Sequence, residues 1–146
     1  MSKKIHGLTS LGLVLIALVL AARILFQEAV GLGVGYLVLS GSAILVVLYA
    51  FCSKCSSRDN CGHVFPGMMA RMFKNRKTGP YTKAEFLWTI LSLLFIIGFP
   101  QVWLWRNLGL LVLFWALILA AVVEIRLAVC RACDNIHCPG NGKFGR

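Results

Sequence analysis

The chain has 146 residues, of which 59% are hydrophobic, and its 15 lysines and arginines against five acidic residues give a net charge of +10. One small soluble core cannot bury so much apolar surface, so the composition excludes an ordinary soluble domain and predicts an integral membrane protein. The positive charge requires no nucleic-acid partner, because anionic lipid headgroups are the nearest partners of basic residues beside a membrane. We therefore expect the lipid bilayer, and no nucleic acid, as a partner.

Four apolar segments are each close to the ~20 residues that a helix needs to cross the hydrocarbon of a bilayer. They cover residues 8–25, 30–51, 86–104 and 108–129. Backbone polar groups in lipid must be satisfied within the segment, so each segment is predicted to be a transmembrane helix. No small-residue cleavage site closes the first segment, which we expect to be retained rather than removed as a signal peptide. The predicted fold class is an all-α membrane protein with four transmembrane helices.

The basic residues are distributed unevenly around these segments. Four spans place both termini and the central loop on one side, and all basic residues except Arg23 and Arg106 belong to that side. Cytoplasmic loops retain the lysine and arginine excess of membrane proteins. Both termini and the central loop are therefore predicted to be cytoplasmic, in a multi-pass protein of the inner (plasma) membrane.

All six cysteines fall into two similar clusters, each directly after a pair of apolar segments. Each cluster also contains one histidine. The members are, in chain order, Cys52, Cys55, Cys61 and His63 in the first cluster, and Cys130, Cys133, His137 and Cys138 in the second. Corresponding cysteines are 78, 78 and 77 residues apart, which predicts two tandem repeats, 1–77 and 78–146. Each repeat would be a helical hairpin followed by a cytoplasmic cysteine cluster, related by a pseudo-twofold axis along the membrane normal.

The spacing of the cysteines indicates their chemistry. Thiolates at CxxC spacing are ligands for zinc or iron-sulfur centres, or act as a redox dithiol. The cytoplasm keeps thiols reduced, which favours metal ligation or thiol chemistry over permanent disulfides. His63 lies two residues after Cys61, so the first cluster is compact enough to wrap one ion. His137 directly precedes Cys138, and adjacent residues rarely both reach one metal.

Three arrangements of the cysteines remain open. Each cluster could bind its own centre through three sulfurs and a further ligand. Alternatively, the two CxxC pairs could converge on the pseudo-twofold axis and share one four-thiolate centre, which leaves Cys61 and Cys138 outside it. In the third arrangement no metal is bound, and the CxxC pairs cycle between dithiol and disulfide.

These arrangements correspond to three functions. The leading hypothesis is an electron-transfer or redox subunit with an iron-sulfur centre at the cytoplasmic face, working with a membrane or cytoplasmic redox partner protein. The alternative is a structural or assembly protein stabilised by zinc, and the third is a cytoplasmic-face thiol-disulfide oxidoreductase. Residues 53–83 form the only sizeable loop, which favours a redox or accessory subunit over a self-contained enzyme.

Local signals predict three further features. Residues 66–74, PGMMARMFK, have an apolar face at helical spacing and are expected to form a short interfacial helix. Thr82 and Glu85 form a capping box that starts the third span. Pro100 is expected to kink that span near its outer end.

A glycine pair in the second span and an acidic residue in the fourth span interrupt the apolar pattern. Gly31 and Gly35 lie at small-xxx-small spacing, which predicts a face for close helix packing. Glu124 is an ionisable residue about one and a half turns before Cys130, and such a residue is a candidate for proton or quinone contact. Its simpler interpretation is an interfacial pair with a nearby arginine or lysine.

Overall fold

The computed structural model of the protein describes residues 3–57, 61–73, 76–131, 133, 135 and 138. All regular structure within these residues is helical. The α-helices are α1 (Lys3–Glu28), α2 (Val30–Ala50), α3 (Val64–Ala70), α4 (Lys83–Gly98), α5 (Gln101–Leu104) and α6 (Leu108–Glu124). The 3-10 turns Cys52–Lys54 and Arg71–Phe73 follow α2 and α3, and the π-helical segment Ile125–Cys130 continues α6.

Four helical stretches of the described chain are long and apolar enough to cross a membrane. They are Lys4–Glu28, Val30–Lys54, Lys83–Leu104 and Leu108–Cys130. Large apolar side chains on these stretches point outward, as Val38 on α2 and Leu94 on α4 do, each with 62% of its surface exposed. In a bilayer, lipid covers such side chains. The prediction of an all-helical protein with four membrane-spanning helices is confirmed at this level, and its division into two repeats stays a prediction.

The four spans pack in a definite order. α1 packs against both α2 and α6, and α2 packs against α4. Ala17 and Ala21 of α1 are fully buried beside Phe114 of α6 in the hydrophobic core, and such small residues let two helices approach closely. The hairpin connection between the first two spans is short, because α1 and α2 are separated by Ala29 alone. We call this the hairpin end of the bundle, and the opposite end, which carries the cysteines, the cysteine end.

Pro100 divides the third span as predicted, since α4 ends at Gly98 and α5 begins at Gln101. Proline has no backbone N–H, so the carbonyl of Ile96, four residues earlier, loses its helical donor. The buried Tyr36 of α2 donates its hydroxyl to this carbonyl at 2.9 Å. A neighbouring helix therefore satisfies the polar group that the proline exposes inside the bundle.

The predicted packing role of Gly31 and Gly35 is wrong. A Cβ atom at either position would meet nothing within 4 Å. The close approach occurs instead at Gly33, where a Cβ atom would overlap the ring of Phe26 on α1. Small-xxx-small spacing indicates a smooth helix face, but it does not determine which way that face points in the bundle. In this structure α2 is rotated so that Gly33 faces α1.

The central loop contains the predicted short helix and capping box. α3 spans Val64–Ala70, so it begins two residues and ends four residues before the predicted segment 66–74. Met68 of α3 is 56% exposed, and Met72 of the following turn is 73% exposed. At the start of α4, the Thr82 hydroxyl accepts the backbone N–H of Glu85, and the Glu85 carboxylate accepts the backbone N–H of Thr82 at 2.8 Å. These contacts fix where the loop ends and the third span begins.

Candidate metal centre

Each CxxC pair forms a turn directly at the end of a span. After α2, the backbone N–H of Cys55 donates to the carbonyl of Cys52 at 3.2 Å. After the π-helical segment that continues α6, the backbone N–H of Cys133 donates to the carbonyl of Cys130 at 3.1 Å. The two turns thus have the same hydrogen bond at equivalent positions, and each presents two sulfurs close together at the cysteine end.

Cysteines of the two sequence clusters lie within electrostatic range of one another at the cysteine end. Electrostatic interactions connect Cys52 with Cys55, Cys61 and Cys138. They also connect Cys55 with Cys133, and Cys130 with Cys133, Cys138 and Cys61. All six cysteine side chains are partly exposed. The tertiary structure therefore brings the loop cysteines of the first half beside the tail cysteines of the second half, which we call the thiol cluster.

The thiol cluster is not arranged as a finished coordination shell. Among the described residues, no three histidine, cysteine, aspartate or glutamate side chains stand in the geometry of a metal-ligating group. The fold brings the sulfurs near one another without forming a ligand geometry among the described residues.

The Cys55 thiol has hydrogen-bonding neighbours from both halves of the chain. Burial raises the pKa of its thiol, whereas hydrogen bonds from the backbone of Ser57 and from the Asn135 side chain act in the opposite direction. The Asn135 amide donates to the Cys55 sulfur at 3.3 Å. Hydrogen bonds of this kind orient thiolate ligands and tune the properties of the metal that they hold.

Asn135 joins the second half of the chain to the loop of the first half. Its side chain is 1% exposed, and its amide also donates to the hydroxyl of Tyr81 at 3.3 Å. The Tyr81 ring stacks on Phe51, with 4.4 Å between the ring centroids. Burial raises the pKa of Tyr81, and the neighbouring thiols of Cys55 and Cys138 raise it further. Tyr81 therefore stays a neutral hydroxyl beside the sulfurs.

His63 lies at the N-cap of α3, against the start of α1. Burial lowers the pKa of its ring, and the backbone carbonyl of Gly7 accepts a hydrogen bond from it. A metal-ligating histidine commonly donates its second ring N–H to a backbone carbonyl in this way. His137, the corresponding residue of the second cluster, lies outside the described residues.

The contact between α1 and the loop is unusually close at Gly7. A Cβ atom at this position would lie 2.1 Å from the backbone oxygen of Gly62. Only a glycine lets the loop between Cys61 and His63 rest on the helix here. The first turns of α1 therefore form part of the support of the thiol cluster.

Glu124 has a partner other than the predicted arginine or lysine. Its carboxylate lies 2.6 Å from the Nδ1 atom of His6 on α1. The π-helical segment that leads to Cys130 starts at the next residue. The pair connects the first span to the last span at the point where α6 gives way to the π-helical segment. It provides the Glu124 carboxylate with a polar partner inside the bundle.

Sequence reasoning missed three residues that support the thiol cluster, namely Gly7, Tyr81 and Asn135. The sequence around Gly7 and Tyr81 gave little indication of this role, because a glycine near the start of a chain and a tyrosine after a Gly-Pro turn occur in many proteins. Asn135 lies inside the second cysteine cluster, and its position between Cys133 and Cys138 was the signal available. No protein-family model matches the chain, and neither a curated protein nor a solved structure matches it.

Proposed function

We propose that this protein is a membrane-embedded redox subunit whose thiol cluster holds an iron-sulfur centre. The observation that carries the proposal is the electrostatic proximity of cysteines from both halves of the chain at one end of the bundle. Thiolates are the usual ligands of iron-sulfur centres, and the two equivalent CxxC turns supply the four that such a centre needs.

The exposure of the thiol cluster supports electron transfer. Each of the six cysteines is partly exposed rather than sealed inside the bundle. A centre held there has an edge near the surface, where a membrane or cytoplasmic redox partner protein can dock and exchange electrons. The hydrogen bonds to the Cys55 sulfur provide a means of adjusting the reduction potential.

Zinc is the second candidate, and His63 favours it. Three cysteines with one histidine are a common ligand set of structural zinc sites, and the hydrogen bond from His63 to Gly7 is typical of such a ligand. In that case the site would fasten the loop and the tail to the bundle, and the protein would serve a structural or assembly role. Thiol-disulfide exchange between the CxxC pairs is the third candidate.

Metal analysis separates these functions. The full chain would be purified in detergent without oxygen, and its iron, acid-labile sulfide and zinc would be measured. Visible absorption would be recorded before and after dithionite. We expect iron and sulfide in similar amounts and a visible absorption that bleaches on reduction. A colourless protein with stoichiometric zinc would overturn the redox proposal in favour of zinc, and metal-free thiols that oxidise reversibly in pairs would favour exchange.

The proposal also includes an orientation, with both termini and the thiol cluster in the cytoplasm of a cell with an inner membrane. It rests on the basic residues at the cysteine end. Green fluorescent protein fused to the C-terminus should fluoresce, and alkaline phosphatase fused there should be inactive. The reverse pattern would place the cysteines on the oxidising side, where disulfide chemistry becomes the better interpretation.

A further inference from the structure

A groove between α2 and α4 opens on the outer surface of the bundle at the cysteine end. Its volume is about 360 Å³. The lining residues are Val46, Tyr49, Ala50, Arg76, Ala84, Glu85 and Trp88. The redox proposal uses none of them.

The polarity of the groove changes with depth. Arg76 and Glu85 lie at its mouth, beside the loop. Val46 lies one helical turn before Ala50, and Trp88 lies about one turn after Glu85, so both are further into the span. Val46 and Trp88 are 37% and 59% exposed on the outside of the bundle. A ligand that fits this gradient has a polar head and an apolar chain.

The mouth of the groove is positively charged. The Glu85 carboxylate accepts hydrogen bonds from both Arg76 and Lys54, the latter at 2.9 Å. Both cations come from the cysteine end, Lys54 from the first CxxC turn and Arg76 from the loop before α4. One carboxylate thus faces two cations, and the remaining positive charge favours an anionic head.

Arg76 is held firmly in this place. Its guanidinium donates to the backbone carbonyl of Tyr49 at 2.7 Å and lies 4.0 Å from the centre of the Tyr49 ring. A cation fixed beside an aromatic ring loses little freedom when it binds a phosphate, and the fork of N–H donors in arginine matches phosphate oxygens.

We propose that this groove binds one anionic phospholipid. The phosphate lies against Lys54 and Arg76, and one acyl chain follows Val46 and Trp88 along the groove. The site contains none of the six cysteines, although Lys54 lies in the first CxxC turn.

Lipid retention by the full chain tests the proposal. The protein would be exchanged into detergent containing equal amounts of phosphatidylglycerol and phosphatidylcholine of the same acyl composition, and bound lipid would be identified by native mass spectrometry. We expect one phosphatidylglycerol to be retained preferentially. Equal retention of the two lipids would overturn the proposal, as would displacement of the adduct by excess inorganic phosphate, which would indicate an anion site without a lipid chain.

Two matched substitutions test the two parts of the site. Val46→Trp fills the apolar part and should abolish the adduct, whereas Val112→Trp on the outer face of α6 should keep it. Arg76→Gln should lower the affinity for phosphatidylglycerol about fivefold, which corresponds to about 1 kcal/mol for one cation near the surface. Arg76→Lys and Arg106→Gln, the latter at the hairpin end, should retain it. Full retention in Val46→Trp or in Arg76→Gln would contradict the proposed site.

Discussion

At the scale of single residues, the thiol cluster depends on side chains that carry no sulfur. Gly7 lets the loop with Cys61 rest on α1, and Asn135 links the tail to the Cys55 sulfur. Both residues act through close contacts across large sequence separations. Their substitution therefore tests the architecture of the site without removing a proposed ligand.

Gly7→Ala should displace the loop around Cys61 and His63. The new Cβ would lie 2.1 Å from the Gly62 oxygen, and backbone atoms cannot turn away as a flexible side chain can. We expect a destabilisation of about 1–3 kcal/mol, as for other overpacked sites, together with a lower metal content. Thermal unfolding in detergent and metal analysis would measure the two effects.

The control for Gly7→Ala is Gly12→Ala on the same helix, where a Cβ would meet nothing within 4 Å. This variant should be as stable as the parent or slightly more so, because alanine favours the helix by up to about 1 kcal/mol. Equal behaviour of the two variants would show that the loop does not rest on Gly7.

Asn135→Leu should weaken the metal centre while keeping a similar side-chain volume. The Cys55 sulfur would lose the amide donor at 3.3 Å. Loss of a partner that orients a metal ligand typically lowers metal affinity about 10- to 100-fold. Competition with a chelator would measure the change, with circular dichroism as the check on folding. Tyr81→Phe leaves the bond from Asn135 to Cys55 in place and should have the smaller effect; the opposite order would contradict this role of Asn135.

At the scale of elements, the ends and breaks of the helices position the site. Tyr36 compensates for Pro100 near the hairpin end of the bundle, and the capping box starts α4 where the loop returns to the membrane. At the start of α4, the Glu85 carboxylate completes the capping box and also pairs with Lys54 of the first CxxC turn. The start of α4 is therefore connected to the first CxxC turn.

Thr82→Ala should lower the stability of the protein by about 1 kcal/mol, the usual cost of a lost helix cap. The variant leaves the Glu85 amide without the threonine hydroxyl that caps it. Unfolding in mixtures of mild detergent and dodecyl sulfate would measure the change. Thr78→Ala, at an exposed position of the same loop, should have little effect, and an equal loss in both variants would argue against the cap.

At the scale of the whole molecule, two of the span contacts match what a twofold repeat requires, whereas the packing of α1 on α2 has no equally extensive counterpart between α4 and α6 among the described residues. The first span packs on the fourth and the second on the third, and a twofold axis exchanges these two contacts. Glu28 and Arg106, which are 78 residues apart, pair at 2.8 Å at the hairpin end. The same offset separates Cys52 from Cys130 in the thiol cluster. The repeat stays a prediction that this symmetry supports.

A shared centre predicts that each half is essential for the whole metal content. Cys52→Ser and Cys130→Ser should each abolish metal binding if the two CxxC pairs hold one centre. Metal content per chain, measured on anaerobically purified protein, would show this. Loss of half of the metal in each variant would indicate two separate sites, one for each cluster, and would contradict sharing.

The sequence by itself determined the membrane character, the number of spans, the capping box and the break at Pro100. These features depend on local composition and short-range hydrogen bonds, which residues close in the chain decide. It also identified the six cysteines, but it left their three arrangements open. It misjudged the helix face at Gly31 and Gly35, because the rotation of a helix in a bundle depends on its neighbours.

Only the tertiary structure decided which cysteines lie together and what surrounds them. The proximity of Cys55 to Cys133 and the bond from Asn135 to Cys55 join residues about 80 positions apart. The pairing of His6 with Glu124 joins residues 118 positions apart. Contacts of this kind arise from the packing order of the spans, which no local pattern encodes.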